Sequence, residues 1–243
     1  MRLGKLSLMG LLAAGSILST GSAFADSVSG IANIAGTVTV TENSIDFTGS
    51  NFRAGSSAET GSFLGLTGGT VHTVLTGGPT TGAVDYAKFM TFNVPGANID
   101  FDLTYIAPGV GTEAACGSNA LGQSCTIANS PFTLRQDSLN PNAVDITLLL
   151  QGVSYFTNDQ NNTSPTAGLF TTQLTNTIVV DDATVTGILA TLAAGGSISG
   201  ASYSATFSAS PTPEPASLLL MSVGLLGAGY IGRRKAQAAK LNA

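Results

Sequence analysis

The chain has 243 residues, 43% of them apolar and only 9% charged, with 14 acids, nine bases, one histidine, 30 glycines and no tryptophan. Charge that sparse, against about a quarter in an ordinary soluble domain, disfavours a charge-dependent enzyme and a helical bundle, and favours a turn-rich β protein. Six bases sit at the ends (Arg2, Lys5, Arg233, Arg234, Lys235, Lys240), so Arg53, Lys88 and Arg135 stand against all 14 acids between Asp26 and Glu214, a net of −11 and no basic footprint for nucleic acid.

Residues 1–25 read as a secretory leader. Arg2 and Lys5 precede an apolar run from Leu6 to Leu18, and small residues end at Ala23-Phe24-Ala25, where signal peptidase is expected to cut after Ala25. The run is shorter than the roughly 20 residues a membrane helix needs.

Residues 26–209 alternate with period 2. Val38 and Val40 separate Thr37, Thr39 and Thr41, and Ser44–Thr48 repeats the pattern after a turn at Glu42-Asn43, which reads as a hairpin with one buried face. Further strands are expected at Thr70–Leu75, Ala87–Val94, Asn98–Ile106, Phe132–Gln136, Ala143–Phe156, Gly168–Val180, Ala183–Ala190 and Ser197–Ser208, divided by turns such as Gly77-Gly78-Pro79, Pro95-Gly96 and Pro108-Gly109. In Thr186–Ala194 the side chains of Ile188, Leu189 and Leu192 also fit one helical face, but the strand reading leads. Ten or so β-branched, Thr-rich strands predict an all-β domain, an antiparallel, jelly-roll-like β-sandwich.

Few side chains along this body could carry chemistry. His72 alternates with Val71 on the polar face of its strand, and neither a Gly-x-Ser-x-Gly elbow nor a free cysteine accompanies it. Asp100 and Asp102 flank Phe101, which puts two carboxylates on one face about 7 Å apart, within the range of a glycosidase pair. The same alternation turns Ile99, Phe101 and Leu103 inward and leaves both acids facing solvent, with Tyr86, Tyr105, Tyr155 and Tyr203 as the only tyrosines available as sugar platforms in the body. Cys116 and Cys125, nine positions apart in an exported chain without nearby histidines, predict one disulfide. Thr157–Thr163 gathers oxygen donors in a loop and Asp181-Asp182 adds two carboxylates, but the spacing of a calcium loop is absent and a solvated turn is the leading reading. No cofactor and no metal ligand is expected; calcium is the one cation these oxygens could take.

At the other end, Ser210–Pro215 has three prolines in six residues, a stiff linker. Residues 216–232 are uncharged and long enough to cross a bilayer as a helix once arginines snorkel, and 233–243 form a basic tail that stays cytoplasmic. The coincidence of Pro213-Glu214-Pro215, an apolar helix, Arg233-Arg234 near the terminus and an N-terminal leader resembles the PEP-CTERM sorting signal, also known as the ice-binding protein C-terminal domain. The resemblance spans about 30 residues and departs from the family only in a tail of eight, Ala236–Ala243. It implies processing by an exosortase, an intramembrane cysteine protease of Gram-negative bacteria that make exopolysaccharide; a plain C-terminal anchor is the alternative.

The expectation is therefore a non-enzymatic exported protein, held at the inner membrane by a transient anchor and then passed to the cell surface or the extracellular, exopolysaccharide-rich biofilm matrix. A carbohydrate-binding module, with or without calcium, is the alternative. Ice binding or adhesion through Thr37, Thr39 and Thr41 is the third.

Overall fold

Among the described residues period-2 alternation is realised in eleven strands: β1 (Gly30–Val40), β2 (Ile45–Phe47), β3 (Asn51–Ala54), β4 (Gly68–Val71), β5 (Gly82–Asn93), β6 (Ile99–Ile106), β7 (Ser124–Cys125), β8 (Phe132–Gln136), β9 (Ala143–Phe156), β10 (Asp159–Thr175) and β11 (Ile198–Ala209). Among the described residues a helix, α1 (Val185–Ala193), lies between the last two. The computed structural model describes residues 27–41, 44–55, 57–74, 81–175, 183–211, 223–225 and 227. The chain divides into two units, residues 1–26 with 213–243, and Ser27–Thr212. Within the first, 223–225 and 227 are helical, whereas Ala23, Ala25, Pro213, Glu214, Pro215, Arg233, Arg234 and most of the 216–232 span lie outside the described residues. Among the described residues no helix is long and apolar enough to cross a membrane.

The strands of the second unit form a barrel, which corrects the expected sandwich. They run β10-β11-β1-β3-β4-β5-β6-β9, and β9 pairs back onto β10, so eight antiparallel strands close. Alternation fixes which face of a strand is buried but not whether the sheet keeps free edges. Here strand length decides: β9 pairs with β10 from Ala143 to Ser154, with β8 through Val144–Leu148, and with β6 through Leu150–Phe156. One long strand thus carries two neighbours in succession on its far side and joins the ends of the sheet. Strands β2, and β8 with β7, are flaps added to the barrel wall.

Closure requires a curved wall, and inward glycines supply room for it. A Cβ on Gly168 would lie 2.4 Å from Phe207 Cε1, one on Gly69 2.5 Å from Phe52 Cζ, and one on Gly36 2.7 Å from Tyr203 Cε1. At each, a ring from a neighbouring strand lies across the bare backbone, an aromatic compensation for glycine in a bent strand. The rings continue into a chain across the interior. Phe52 and Phe63 each stand 5.3 Å from Phe92; Phe92 meets Phe207 at 5.3 Å; and Phe207 meets Phe101 and Phe170 at 5.4 and 5.5 Å. Phe170 and Tyr203 then both pack on Phe47. Centroid spacings of this size suit edge-on pairs, which add to the burial gain.

Two further expectations are corrected. The Ala183–Ala190 strand is helix α1: Thr184 Oγ1 accepts from Gly187 N at 3.1 Å as an N-cap, apolar residues fall at 185, 188, 189 and 192, and Gly195 at φ 76° ends it. The cap and the helical spacing outweigh a short β-branched run. The polar stretch Thr157–Thr163 is not a loop beyond its first two residues, because β10 starts at Asp159, opposite Phe156. A bulge between Asp159 and Ser164 leaves its polar side chains room, and Asn162 Nδ2 donates to Asp159 Oδ2. Residues 176–182, including Asp181 and Asp182, lie outside the described residues, as does the Glu42-Asn43 turn.

Cys116 and Cys125 are disulfide-bonded with Cα atoms 5.2 Å apart. Closing a loop this short restricts the unfolded chain by about 2.5–3 kcal/mol. The loop also docks on the helix: Asn119 Oδ1 accepts from Thr186 N at 3.1 Å, and its Nδ2 donates to Thr186 Oγ1 at 2.9 Å. Buried Gln136 anchors the same helix end, its Oε1 accepting from Val185 N while its Nε2 donates to Pro141 O and Ala143 O.

Candidate functional site

Helix α1 borders an apolar cavity of about 440 Å³. The cavity begins where the aromatic chain ends, at Phe47, Phe170 and Tyr203, and is walled by Val38, Ile146 and Leu148 from the barrel, Phe132 and Leu134 from β8, and Ile188, Leu189 and Leu192 from α1. Exposed Ala128, Asn129 and Ala193 mark its mouth. Among the described residues that line it none is charged. Tyr203 is buried, its hydroxyl has no hydrogen-bond partner, and burial pushes its phenol well above the ordinary range.

The carboxylate pair lies elsewhere, on the outer face where β5, β6 and β9 meet. In register, Thr91, Asp100 and Tyr155 stand side by side across the three strands. Asp100 is only 1% exposed, which corrects its expected place in solvent: Lys88 Nζ lies 3.0 Å from its Oδ2 and Thr91 donates to its Oδ1 at 2.7 Å. Asp102 Oδ1 accepts from the Lys88 backbone N–H at 2.7 Å and from Tyr155 Oη at 3.0 Å. Lys88, at φ 51°, sits in a bulge of β5 that aims its ammonium back over the sheet, and Asp102 holds that bulge through its amide. Both carboxylates are thus committed to internal partners.

The tyrosines do not form one platform. Tyr155 belongs to the acidic cluster, Tyr203 points into the barrel, Tyr86 is half-buried and Tyr105 is partly exposed on the outside. His72 is exposed, and its backbone N–H donates to Phe89 O. Thr37 and Thr39 face outward on a twisted wall, while Thr41 bonds Ser44 in the turn. Among the described residues no group of three or more His, Cys, Asp and Glu side chains is placed to hold a metal ion.

Burial pushes the Tyr155 phenol up to about 12, assisted by its hydrogen bond to Asp102 and by the negative charges of Asp102 and Asp100. In the unfolded chain it ionises near its usual value of 10. A phenol raised on folding contributes stability that is complete below pH 10 and disappears as pH rises through 12. Urea midpoints followed from pH 8 to 12 should therefore hold to about pH 10 and then fall, and Tyr155→Phe should make that fall shallower. An identical alkaline profile in the variant would show that Tyr155 is not the group responsible.

Sequence comparison adds one match. Residues 211–235 match the family model of the PEP-CTERM protein-sorting motif. No curated protein and no solved structure matches the chain.

Proposed function

We propose, on the premise that the motif at residues 211–235 marks an exported protein sorted through an exosortase and anchored transiently in the membrane, that the barrel is the delivered part of a non-enzymatic cell-surface or matrix protein among exopolysaccharide. The carrying observation is the junction in the chain. Strand β11 ends at Ala209, the ladder adds one bond from Ser210 N to Pro165 O, and the matched motif begins at 211. The barrel is therefore complete before the sorting segment starts, so removal of that segment takes no strand from it.

Other features support the same reading. The barrel is apolar inside and hydroxyl-rich outside, with Ser202, Ser204, Thr206 and Ser208 outward on β11, the reverse of a membrane barrel. Its paired carboxylates serve the wall and not an open cleft. The polar stretch weighed as a calcium loop for the carbohydrate-binding alternative is strand from Asp159 onward, and Thr37 and Thr39, weighed for ice binding, lie on one strand of a closed barrel.

Expressing the full chain in hosts with and without an exosortase, then comparing mass and fractionation, tests the proposal. Loss of the C-terminal segment and movement from membrane to surface or medium only in the exosortase host is the expected result. Unchanged mass with membrane retention in both hosts would overturn it.

A further inference from the structure

An eight-stranded barrel has an interior that side chains can fill or that can hold one small ligand. This chain does both in different halves. Rings from Phe63 to Phe170 fill one part; beyond Phe47, Phe170 and Tyr203 the wall side chains are shorter and 440 Å³ is left open. That volume lies within the roughly 300–1,000 Å³ typical of small-molecule sites. An apolar space without an occupant forfeits the dispersion contacts of its lining and exposes that lining to water at the mouth.

Two features define what would fit. No charged side chain is found among the described lining residues, so an anionic or cationic headgroup drawn inside would have no counter-charge. Among the described residues that line the cavity, Tyr203 contributes a buried hydroxyl without a partner, and an unpaired buried donor is a standing cost that a ligand oxygen removes. We propose that the cavity is a binding site for a neutral amphiphile, a molecule with an apolar chain or ring body and one carbonyl or hydroxyl oxygen that accepts a hydrogen bond from Tyr203 Oη. A phenol is protonated, and so a donor, at neutral pH. The ligand enters past Ala128 and Asn129 and packs against Leu189 and Leu192 of α1, which the disulfide loop holds through Asn119.

The test uses the full chain in envelope membranes and a hexadecan-1-ol analogue bearing a mid-chain diazirine. Light-induced label should map to cavity peptides containing Ile146, Leu189 or Leu192, and unlabelled hexadecan-1-ol should displace it. Ala201→Phe, which fills the cavity from β11, and Val40→Phe, which fills it from a half-buried position on β1, should each lower cavity labelling about tenfold or more. Thiol alkylation would check that each variant keeps its Cys116–Cys125 bridge. Tyr203→Phe should weaken competition by hexadecan-1-ol about five- to tenfold, the worth of one hydrogen bond, while leaving competition by hexadecane unchanged. Label confined to residues 216–232, labelling indifferent to both filling variants, or displacement by palmitate as efficient as by the alcohol would each overturn the proposal.

Discussion

Replacing Phe207 by alanine should destabilise the barrel by about 3–5 kcal/mol, the cost of emptying a fully buried ring site. Phe207 is completely buried and meets three other rings, Phe92, Phe101 and Phe170, so its removal opens the centre of the aromatic chain. Gly168 makes the expectation sharper. The ring lies over its bare backbone, so Gly168→Ala alone puts a methyl 2.4 Å from Phe207 Cε1 and should cost about 1–3 kcal/mol through overpacking. With the ring gone the same methyl enters vacated space. The double variant Phe207→Ala/Gly168→Ala should therefore lose clearly less than the sum of the single losses, read from urea denaturation of all four proteins. Strict additivity would mean that the ring and the glycine are not coupled, and that this glycine is not there to admit the ring.

That coupling also explains what the sequence made legible. Strands β8 and β9 begin and end where alternation places them, at Phe132–Gln136 and Ala143–Phe156, because one face of each is mainly apolar, with Phe132 and Leu134 in β8 and Val144, Ile146, Leu148 and Leu150 in β9. Closure was not legible, since a sandwich and a barrel present the same inward and outward alternation; the difference lies in which long strand pairs twice. Glycines at 36, 69 and 168 were visible, but each matters only through a ring on another strand. Helix α1 was partly legible: its apolar spacing fitted both readings, and Thr184 as a cap was the neglected signal. The apolar cavity left no local trace, because its lining comes from β1, β2, β8, β9, β10, β11 and α1. The burial of Asp100 did leave one, in that only three bases accompany the body's acids and Lys88 stands in the strand that pairs with it.

Lys88→Met should cost about 3 kcal/mol, an effect far larger than the 0.2–1 kcal/mol usual for exposed pairs. Lys88 is 49% exposed, and on that ground alone the substitution would be nearly neutral. Its partner decides otherwise. Asp100 is buried, and without the ammonium its carboxylate keeps a single hydrogen-bond donor, Thr91 Oγ1. Breaking a pair is expensive when the group left behind cannot return to water. Methionine retains an apolar stem of similar length, and the backbone N–H that binds Asp102 is untouched, so the bulge of β5 should survive. Removing the stranded charge should then recover most of the loss: Asp100→Asn in the Lys88→Met background replaces a carboxylate by an amide that can still accept from Thr91. Urea midpoints for the two single variants and the double variant would measure this directly. A loss below about 1 kcal/mol in Lys88→Met would place the pair among ordinary surface ion pairs. A double variant no more stable than Lys88→Met would show that the cost comes from lost packing, with the buried charge contributing little.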